Sequence, residues 1–395
     1  MTMDTTTIIL SDVIKDIAAG PFGSNLKVSC FVEYGFPIID GANLKGYKVT
    51  DNITKYVTEE KARSLYRAIA SRGDVVVTIS GTLGQIAYIP SDSNFKEYLV
   101  SQRQFRVTFD EEKVYVPYLV FYFHTYEGQH KILSFANQVG VPALAQPLKN
   151  FRQIKMDLPS LSDQKRIASI VESINNKIES NTAINNNLEQ QAKAIYQQMF
   201  IDNASSEWTE GTLSDIADIT MGQSPSGSSY NEDGNGTIFF QGRAEFGFRF
   251  PTVRLYTTEP KRMACVNDTL MSVRAPVGDL NVAHTDCCIG RGLAAIHSKN
   301  NHQSFALYTM FSLKKQLDVF NGEGTVFGSI NRNSLNEMPI LIPSSEKLDE
   351  FEALVAPMDA AIRNNYDEIC RLEQLRDSLL PKLMSGELDV SDIDL

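Results

Sequence analysis

The sequence predicts an α+β chain: two mixed α/β units in tandem, each followed by a long helix, with the two helices forming an antiparallel coiled coil of pseudo-two-fold symmetry. Three observations support this fold class. Motifs of the first half recur in the same order in the second half, strand–turn–strand patterns lie within each half, and two long stretches carry apolar residues three or four positions apart. The predicted boundaries are 1–160, 161–204, 205–344 and 345–395.

The internal repeat is carried by short segments that keep their order. The offset between the copies shrinks from 203 residues, between Leu10 and Leu213, to 184 residues, between Leu158 and Ile342. Such a decrease is expected if the second copy has lost loop residues. The matched pairs are Leu10–Gly20 with Leu213–Gly222, Gly73–Gly84 with Asn267–Gly278, Ser101–Arg103 with Ile289–Arg291, and Leu158–Pro159 with Ile342–Pro343.

Two long helices are predicted after the matched prolines, the first over roughly Asp163–Phe200. At 1.5 Å per residue that helix would be about 57 Å long, and its apolar stripe needs a partner, which the second helix provides. Pro357 predicts a kink or a restart. Asn181 and Asn185 either fix the register of the seam or face solvent. The predicted helix–helix and partner interface is Ile167, Val171, Ile174, Ile178, Leu188, Ile195, Met199, Val355, Met358, Ile362, Leu372, Leu379 and Leu383.

Each unit is predicted to contain paired strands and one helix. Apolar residues flank a glycine-containing turn in Asp74–Ile89 and again in Asp268–His284, which is the pattern of two strands joined by a turn. The helix is predicted over Pro117–Leu133 in the first copy and over Phe305–Phe320 in the second.

Composition favours a soluble, cytoplasmic protein. The longest apolar run, Val114–Phe123, contains Pro117 and is well short of the roughly 20 residues that span a bilayer. The five cysteines form no CxxC pair and the histidines show no metal-binding spacing, so no metal site is predicted. The net charge is −11, yet residues 241–340 carry 11 basic and 8 acidic residues. A chain of this charge would bind DNA weakly alone, so basic partners are implied if DNA is its target.

Motifs of catalysis are missing from the sequence. There is no GxxxxGK[ST] phosphate loop, no aromatic tetrapeptide of an amino-methyltransferase and no GxGxxG, so the chain is predicted not to be an enzyme. Asp92 with Glu111 and Lys113 loosely resembles a nuclease motif. A charged turn between a strand and a helix is the simpler interpretation of Asp110–Lys113.

Three segments resemble the specificity subunits of type I restriction-modification systems: Leu158–Ile167, Gly73-Asp74 before an apolar strand, and Leu379–Leu388. The resemblance spans nearly the whole chain. It implies two target-recognition domains that each read one half of a bipartite, asymmetric site in double-stranded DNA. It also implies two adenine methyltransferase subunits docked on the helices and, where DNA is cleaved, two ATP-driven motor-nuclease subunits. S-adenosylmethionine, and ATP with Mg²⁺, would then bind the partners, and this chain would hold no cofactor.

Candidate DNA contacts are side chains with paired donors or acceptors, because arginine can bridge guanine O6 and N7 while asparagine and glutamine can bridge adenine N6 and N7. Arg103 and Arg291 rank first because they recur at matched positions, although a shared structural ion pair would explain that equally well. Asn137-Gln138 is another pair of candidates. The aromatic run Tyr115–Tyr126 has helical spacing, which favours core packing over base stacking. The candidates are Ser80, Gly81, Thr82, Gly84, Gln102, Arg103, Gln104, Asn137, Gln241, Arg243, Arg274, Gly278, Arg291, Asn331, Arg332 and Asn333.

A different class of function is also open at this point. Duplicated domains on a coiled coil could form a protein-binding scaffold, and the acidic net charge favours that interpretation. The family segments favour DNA recognition.

Overall fold

A computed structural model describes residues 4–137, 141–322 and 328–390. Within these ranges the chain forms two compact units: unit 1 from the described residues of 4–179 and 369–390, and unit 2 from those of 180–368. The units do not coincide with the division expected from sequence, because each includes part of both long helices.

The first half of the chain alternates short strands with short helices. Its helices are α1 (Glu59–Ser64), α2 (Val116–His124), α3 (Tyr126–Leu133), α4 (Pro147–Arg152) and α5 (Leu161–Tyr196). Its strands are β1 (Thr5–Ile9), β2 (Ile14–Ala19), β3 (Phe31–Val32), β4 (Phe36–Ile39), β5 (Tyr56–Val57), β6 (Ile69–Ser71), β7 (Val75–Thr78), β8 (Ile86–Tyr88), β9 (Glu97–Val100), β10 (Gln104–Phe109), β11 (Ala136–Asn137), β12 (Ala143–Leu144) and β13 (Lys155–Pro159).

The second half repeats this order with fewer elements. Its helices are α6 (Leu213–Ile216), α7 (Gln303–Ser312), α8 (Lys314–Asp318), α9 (Arg332–Asn336) and α10 (Ser345–Met384). Its strands are β14 (Thr209–Thr212), β15 (Ala217–Met221), β16 (Tyr230–Asn231), β17 (Thr237–Phe240), β18 (Leu255–Thr257), β19 (Met263–Ala264), β20 (Thr269–Ser272), β21 (Leu280–Val282), β22 (Cys287–Ile289), β23 (Leu293–Ser298) and β24 (Pro339–Ile342).

The sheets of the two units have the same topology, which confirms the internal repeat. A four-stranded sheet of order β2-β10-β7-β8 in unit 1 corresponds to β15-β23-β20-β21 in unit 2. A five-stranded sheet of order β3-β5-β4-β9-β6 corresponds to β16-β18-β17-β22-β19. Each five-stranded sheet has one parallel pair, β4 with β9 and β17 with β22, and its other pairs are antiparallel.

The predicted strand–turn–strand segments form antiparallel pairs, β7 with β8 and β20 with β21. The same turn precedes β7 and β20. Gly73 and Asn267 have positive φ angles of 89° and 73°, a conformation that glycine and asparagine adopt most readily. The following carboxylates then close the turn, because Asp74 accepts a 2.8 Å hydrogen bond from the Ser71 amide and Asp268 an equivalent one from the Cys265 amide.

The single helix predicted over Pro117–Leu133 is instead two helices, α2 and α3. Thr125 separates them with an extended backbone, and its hydroxyl accepts a hydrogen bond of 3.1 Å from the Gly128 amide. A threonine that caps the next helix in this way ends the previous one. In the second copy the predicted helix is likewise divided, at Leu313 between α7 and α8. All eight residues Val116–Phe123 of α2 are buried, so this part of the aromatic run packs in the core, whereas Tyr126 at the end of the run is 89% exposed.

The two predicted long helices are confirmed as α5 and α10. Ser160 caps α5 by accepting a 3.1 Å hydrogen bond from the Asp163 amide, and a π-helical turn, Gln197–Asp202, follows the helix. The predicted restart at Pro357 is wrong, because α10 is continuous through it. The proline removes the amide that would pair with the Ala353 carbonyl. Both residues are exposed, so water can satisfy that carbonyl.

Within unit 1 the start of α5 packs antiparallel to the end of α10. Ile167 and Val171 are buried in one core with Leu380 and Leu383, and Leu379 packs against this core. Further along, Arg376 donates a 3.3 Å hydrogen bond to Asn175. Ile174, Ile178 and Leu372, the other predicted seam residues of this unit, are half-buried.

Within unit 2 the remaining part of α5 packs antiparallel to the first part of α10. Val355 and Ile362 are buried in the core of this unit, and Leu188, Ile195, Met199 and Met358 pack against it. Asn181 and Asn185 are also buried. Asn181 donates a 2.7 Å hydrogen bond to Glu368, and Asn185 donates one of 3.3 Å to the Ile362 carbonyl. The two asparagines therefore face the seam rather than solvent, where unpaired amides would penalise a shifted register.

A buried ion pair network within unit 2 joins Arg249, which lies between β17 and β18, to the segments of α5 and α10 that belong to this unit. Arg249 is only 4% exposed and lies 3.3 Å from Glu189 of α5 and 3.3 Å from Asp359 of α10. Tyr308 completes the network by donating a 3.0 Å hydrogen bond to Asp359. Burial raises the pKa of Asp359, and the positive charge of Arg249 opposes that rise.

We expect Arg249→Ala to lower the free energy of unfolding by about 3–5 kcal/mol, because it leaves buried Asp359 without its cation, while Glu189 keeps only its ion pair with Lys193. Urea denaturation of the full chain measures the change. Arg291→Ala is the matched control, since Arg291 is exposed and has no ion pair within the described ranges. Equal midpoints for the two variants would contradict the structural role of Arg249.

Candidate functional site

A cleft of about 530 Å³ lies in unit 1 where the parallel strands β4 and β9 end. We call it the first cleft. It collects residues that are far apart in sequence, because parallel strands place the loops that follow them at the same edge of a sheet. Its lining residues are Leu26, Val28, Phe31, Ile38, Asp40, Gly41, Lys55, Thr78, Ser80, Gly81, Thr82, Gln85, Ser101, Gln102, Arg103 and Gln104.

An equivalent cleft of about 430 Å³ lies in unit 2 where β17 and β22 end, and we call it the second cleft. It contains four of the predicted candidates of the second copy: Gln241, Arg243, Arg274 and Arg291. Its other lining residues are Ser224, Gly242, Ala244, Glu245, Arg254, Ser272, Ala275 and Gly292.

Backbone hydrogen bonds fix the correspondence between the clefts and correct the sequence alignment by one residue. The Ile79 amide donates to the Arg103 carbonyl, and the Val273 amide donates to the Gly292 carbonyl. Arg103 therefore corresponds to Gly292, and Arg291 corresponds to Gln102. The predicted match of Arg103 with Arg291 was wrong, although both residues lie in the same turn of their copy.

The same register identifies two further pairs of equivalent positions. The Gly290 amide donates to the Phe240 carbonyl as the Ser101 amide does to Ile39, so the next residues, Asp40 and Gln241, are equivalent. Ser80 and Arg274 are equivalent because each forms the isolated β-bridge after its strand. The clefts thus share a backbone but carry different side chains.

Glycine holds the cleft turn close to the four-stranded sheet in both units. A Cβ atom on Gly20 would lie 1.9 Å from the Ser101 carbonyl oxygen, and one on Gly222 would lie 2.1 Å from the Gly290 carbonyl oxygen. Each glycine also donates its amide into the sheet, to Gln104 or Leu293. The close approach requires a residue without a side chain at both positions.

Five arginines at the clefts are exposed, and two of them, Arg243 and Arg254, form ion pairs; the other three are Arg103, Arg274 and Arg291. Arg103, Arg274 and Arg291 form no ion pair with any described residue, so the alternative of a structural ion pair shared by Arg103 and Arg291 does not hold within those ranges. The Arg291 amide donates a 3.2 Å hydrogen bond to the Ser224 hydroxyl. This bond fixes the backbone from which the arginine side chain extends.

The other cations of the clefts are neutralised by neighbouring acids. Lys55 lies 2.6 Å from Asp40, Arg254 lies 3.0 Å from Glu245, and Arg243 pairs with Asp279. Burial is the largest single influence on the pKa of the Asp40 carboxyl group and raises it, but the hydrogen bonds from Lys55 and the Ala42 amide, together with the positive charge of Lys55, outweigh burial and lower that pKa.

Several predicted candidates either lie outside the clefts or have a side chain that is not free to bind a ligand. Gln104 lines the first cleft, but its side chain is buried and bonded to the Ser101 hydroxyl, so it supports the turn. Gly84 is covered by Gln129, which donates to its carbonyl at 2.9 Å. Asn137 is exposed on β11, and Gln138 lies outside the described residues. In the second copy Gly278 contacts Leu317, Asn331 caps α9, and Arg332 and Asn333 are exposed in that short helix.

Sequence reasoning missed Asp40, Lys55 and Gln85 of the first cleft and Ser224 and Arg254 of the second. Asp40 directly follows β4 as Gln241 directly follows β17, and this shared position could have identified Asp40 from the sequence. Lys55 and Arg254 carried no comparable signal, because they reach the clefts only through the pairing of distant strands.

The loose nuclease pattern is a charged turn. Residues 110–113 connect β10 to α2, and Lys113 lies 3.7 Å from Asp110. In the described parts of the chain, no group of three or more histidine, cysteine, aspartate or glutamate residues is arranged to hold a metal ion. No helix there is long and apolar enough to cross a membrane.

The sequence profile of the type I restriction modification DNA specificity domain matches residues 16–190 and again residues 205–353. The chain therefore belongs to this family and is a specificity subunit of a type I restriction-modification system, a DNA-recognition component rather than a catalytic one.

Individual relatives agree with the family along most of the chain. A Methanocaldococcus jannaschii protein, provisionally named the specificity subunit of the type I restriction enzyme MjaX, is 26% identical over 96% of this chain and 93% of its own length. The HindI specificity subunit of Haemophilus influenzae is 20% identical over 77% of this chain and 84% of its own. The crystal structure of a type I system S subunit from M. genitalium has the same fold, with a TM-score of 0.64, 14% identity and 96% coverage of both chains.

We expect Gly20→Ala to lower the free energy of unfolding by about 1–3 kcal/mol, because the new methyl group forces β2 or the Ser101 turn to move. Urea denaturation measures the change. Gly46→Ala is the control, since a Cβ atom there would meet no described atom within 4 Å. If both variants unfold at the same urea concentration, the close approach at Gly20 does not constrain the cleft.

Proposed function

We propose that each cleft reads one half of a bipartite, asymmetric site in double-stranded DNA. The observation that carries this proposal is the recurrence of one cleft in both units, on the same backbone, with different hydrogen-bonding side chains. Unpaired arginines and amide side chains at its rim are the groups that read base edges in the major groove. A different set in each cleft would make the two half-sites different, and the full site asymmetric.

The long helices are the proposed docking surface for two adenine methyltransferase subunits and, where cleavage occurs, two motor-nuclease subunits. S-adenosylmethionine, and ATP with Mg²⁺, would bind those partners, and the complex would act in the cytoplasm. The net charge of −11 supports the need for partners, because phosphate contacts that this chain supplies poorly must come from another subunit.

Exchanging residues 10–158 for the matching segment of a relative tests the division of labour. Sequencing of modified bases in cells that express the hybrid with its methyltransferase partner should reveal a change in one half-site only. A change in both half-sites would contradict the proposal. The purified chain alone should neither methylate DNA, cleave DNA nor hydrolyse ATP.

We expect Arg103→Ala and Arg291→Ala to weaken binding at opposite half-sites, each by about 1–3 kcal/mol if the arginine makes a bidentate base contact. Titration of the methyltransferase complex with duplexes altered in one half-site at a time measures these effects. Unfolding midpoints should stay unchanged, because both side chains are exposed. Loss of stability with unchanged DNA binding would make the arginines structural.

A further inference from the structure

The two clefts differ in chemistry as well as in sequence. At equivalent positions the first cleft has Ser80 and Gln102 where the second has Arg274 and Arg291. Neither of these two arginines pairs with an acid among the described residues. Two unpaired guanidinium groups therefore stand at the rim of the second cleft where the first presents a hydroxyl and an amide.

One wall of the first cleft is apolar. Leu26, Val28, Phe31 and Ile38 line it, and Val28 is 82% exposed at its rim. Among the described residues that line the second cleft, the apolar side chains are the small ones of Ala244 and Ala275. The first cleft therefore offers an exposed valine and an amide side chain on one lining, and a ligand that carries a methyl group together with a donor and an acceptor would fit it.

An A·T base pair offers this combination in the major groove, because adenine presents N7 and N6 to an amide and thymine presents a C5-methyl group to an apolar side chain. A G·C pair offers two acceptors, O6 and N7, which suit a guanidinium group. We propose, on the basis of the function proposed above, that the first cleft reads at least one A·T pair through Gln102 and Val28. The second cleft reads two G·C pairs through Arg274 and Arg291.

Arg103 limits the difference in base preference between the two clefts. It is exposed in the first cleft and corresponds to Gly292 of the second, so it is free to contact a phosphate or one guanine of the first half-site. The assignment to an A·T pair therefore concerns the position under Gln102 and Val28, and not the whole half-site.

Base analogues test this assignment once the target has been mapped and its halves assigned to the units by the exchange of residues 10–158. In one duplex deoxyuridine replaces the thymines of the first half-site, which removes only their methyl groups. In a second duplex 7-deazaguanine replaces the guanines of the second half-site, which removes only the N7 acceptor. Two further duplexes carry each analogue in the opposite half-site. Affinity is measured for the complex of the chain with its methyltransferase partner.

We expect deoxyuridine in the first half-site to weaken binding about four-fold for each methyl group that loses its contact. 7-Deazaguanine in the second half-site should weaken it about five-fold or more for each guanine contacted. Deoxyuridine in the second half-site should have little effect. Equal effects of an analogue in both half-sites, a first half-site without an A·T pair, or a second without two G·C pairs would overturn the assignment.

Variants connect each effect to its residue. Val28→Ala should abolish the deoxyuridine effect, while Val319→Ala, another exposed valine, should preserve it. Arg274→Ser and Arg291→Gln, which introduce the residues of the first cleft, should each remove part of the 7-deazaguanine effect, and exposed Arg262→Gln should not. Analogue effects that persist in these variants would also overturn the assignment. A complex that recognises no sequence at all would instead contradict the proposed function.

Discussion

The packing of the two long helices against each other is the constraint on which both units depend. An isolated amphipathic helix is marginal in water, so the apolar stripes of α5 and α10 must be covered. In unit 1 the cover for Ile167 and Val171 comes from residues near Leu383, and in unit 2 α5 is covered by residues near Phe351 and Ile362. Buried Asn185 and Arg249 add polar contacts that tolerate few alternative registers, because each would be left unpaired by a shift.

The contacts that maintain the clefts are separate from the side chains that are proposed to read DNA. The hydrogen bonds that shape the clefts join backbone atoms, such as the Ile79 amide with the Arg103 carbonyl and the Val273 amide with that of Gly292. Backbone contacts are indifferent to the side chain at the position. An arginine, which the second copy has at the equivalent position 291, could therefore replace Gln102 without loss of the turn. Gly20 cannot be replaced in this way, because a side chain there would meet the Ser101 carbonyl.

The sequence predicted the features that depend on periodicity and order. The repeat, the strands β7 and β20 and the two long helices follow from local pattern, and the structure confirms them. Features that depend on pairing between distant segments could not be predicted from the sequence. Lys55 and Arg254 reach the clefts only through strand pairing, and a one-residue slip matched Arg103 with Arg291, because short polar turns lack the periodicity that fixes an alignment. The break at Thr125 was missed because its capping hydroxyl competes with a strongly apolar helical pattern.

The discontinuity of unit 1 has a consequence for how the protein is made. Residues 369–390 supply part of the core that buries α5. Residues 180–368 must be synthesised before residues 369–390 emerge from the ribosome. At about 5–20 residues per second, the ribosome takes on the order of 10–40 s to produce that intervening segment. During this interval Ile167 and Val171 lack their partners from α10, and a nascent chain in that state offers an apolar helix face to chaperones or to a second nascent chain on the same message.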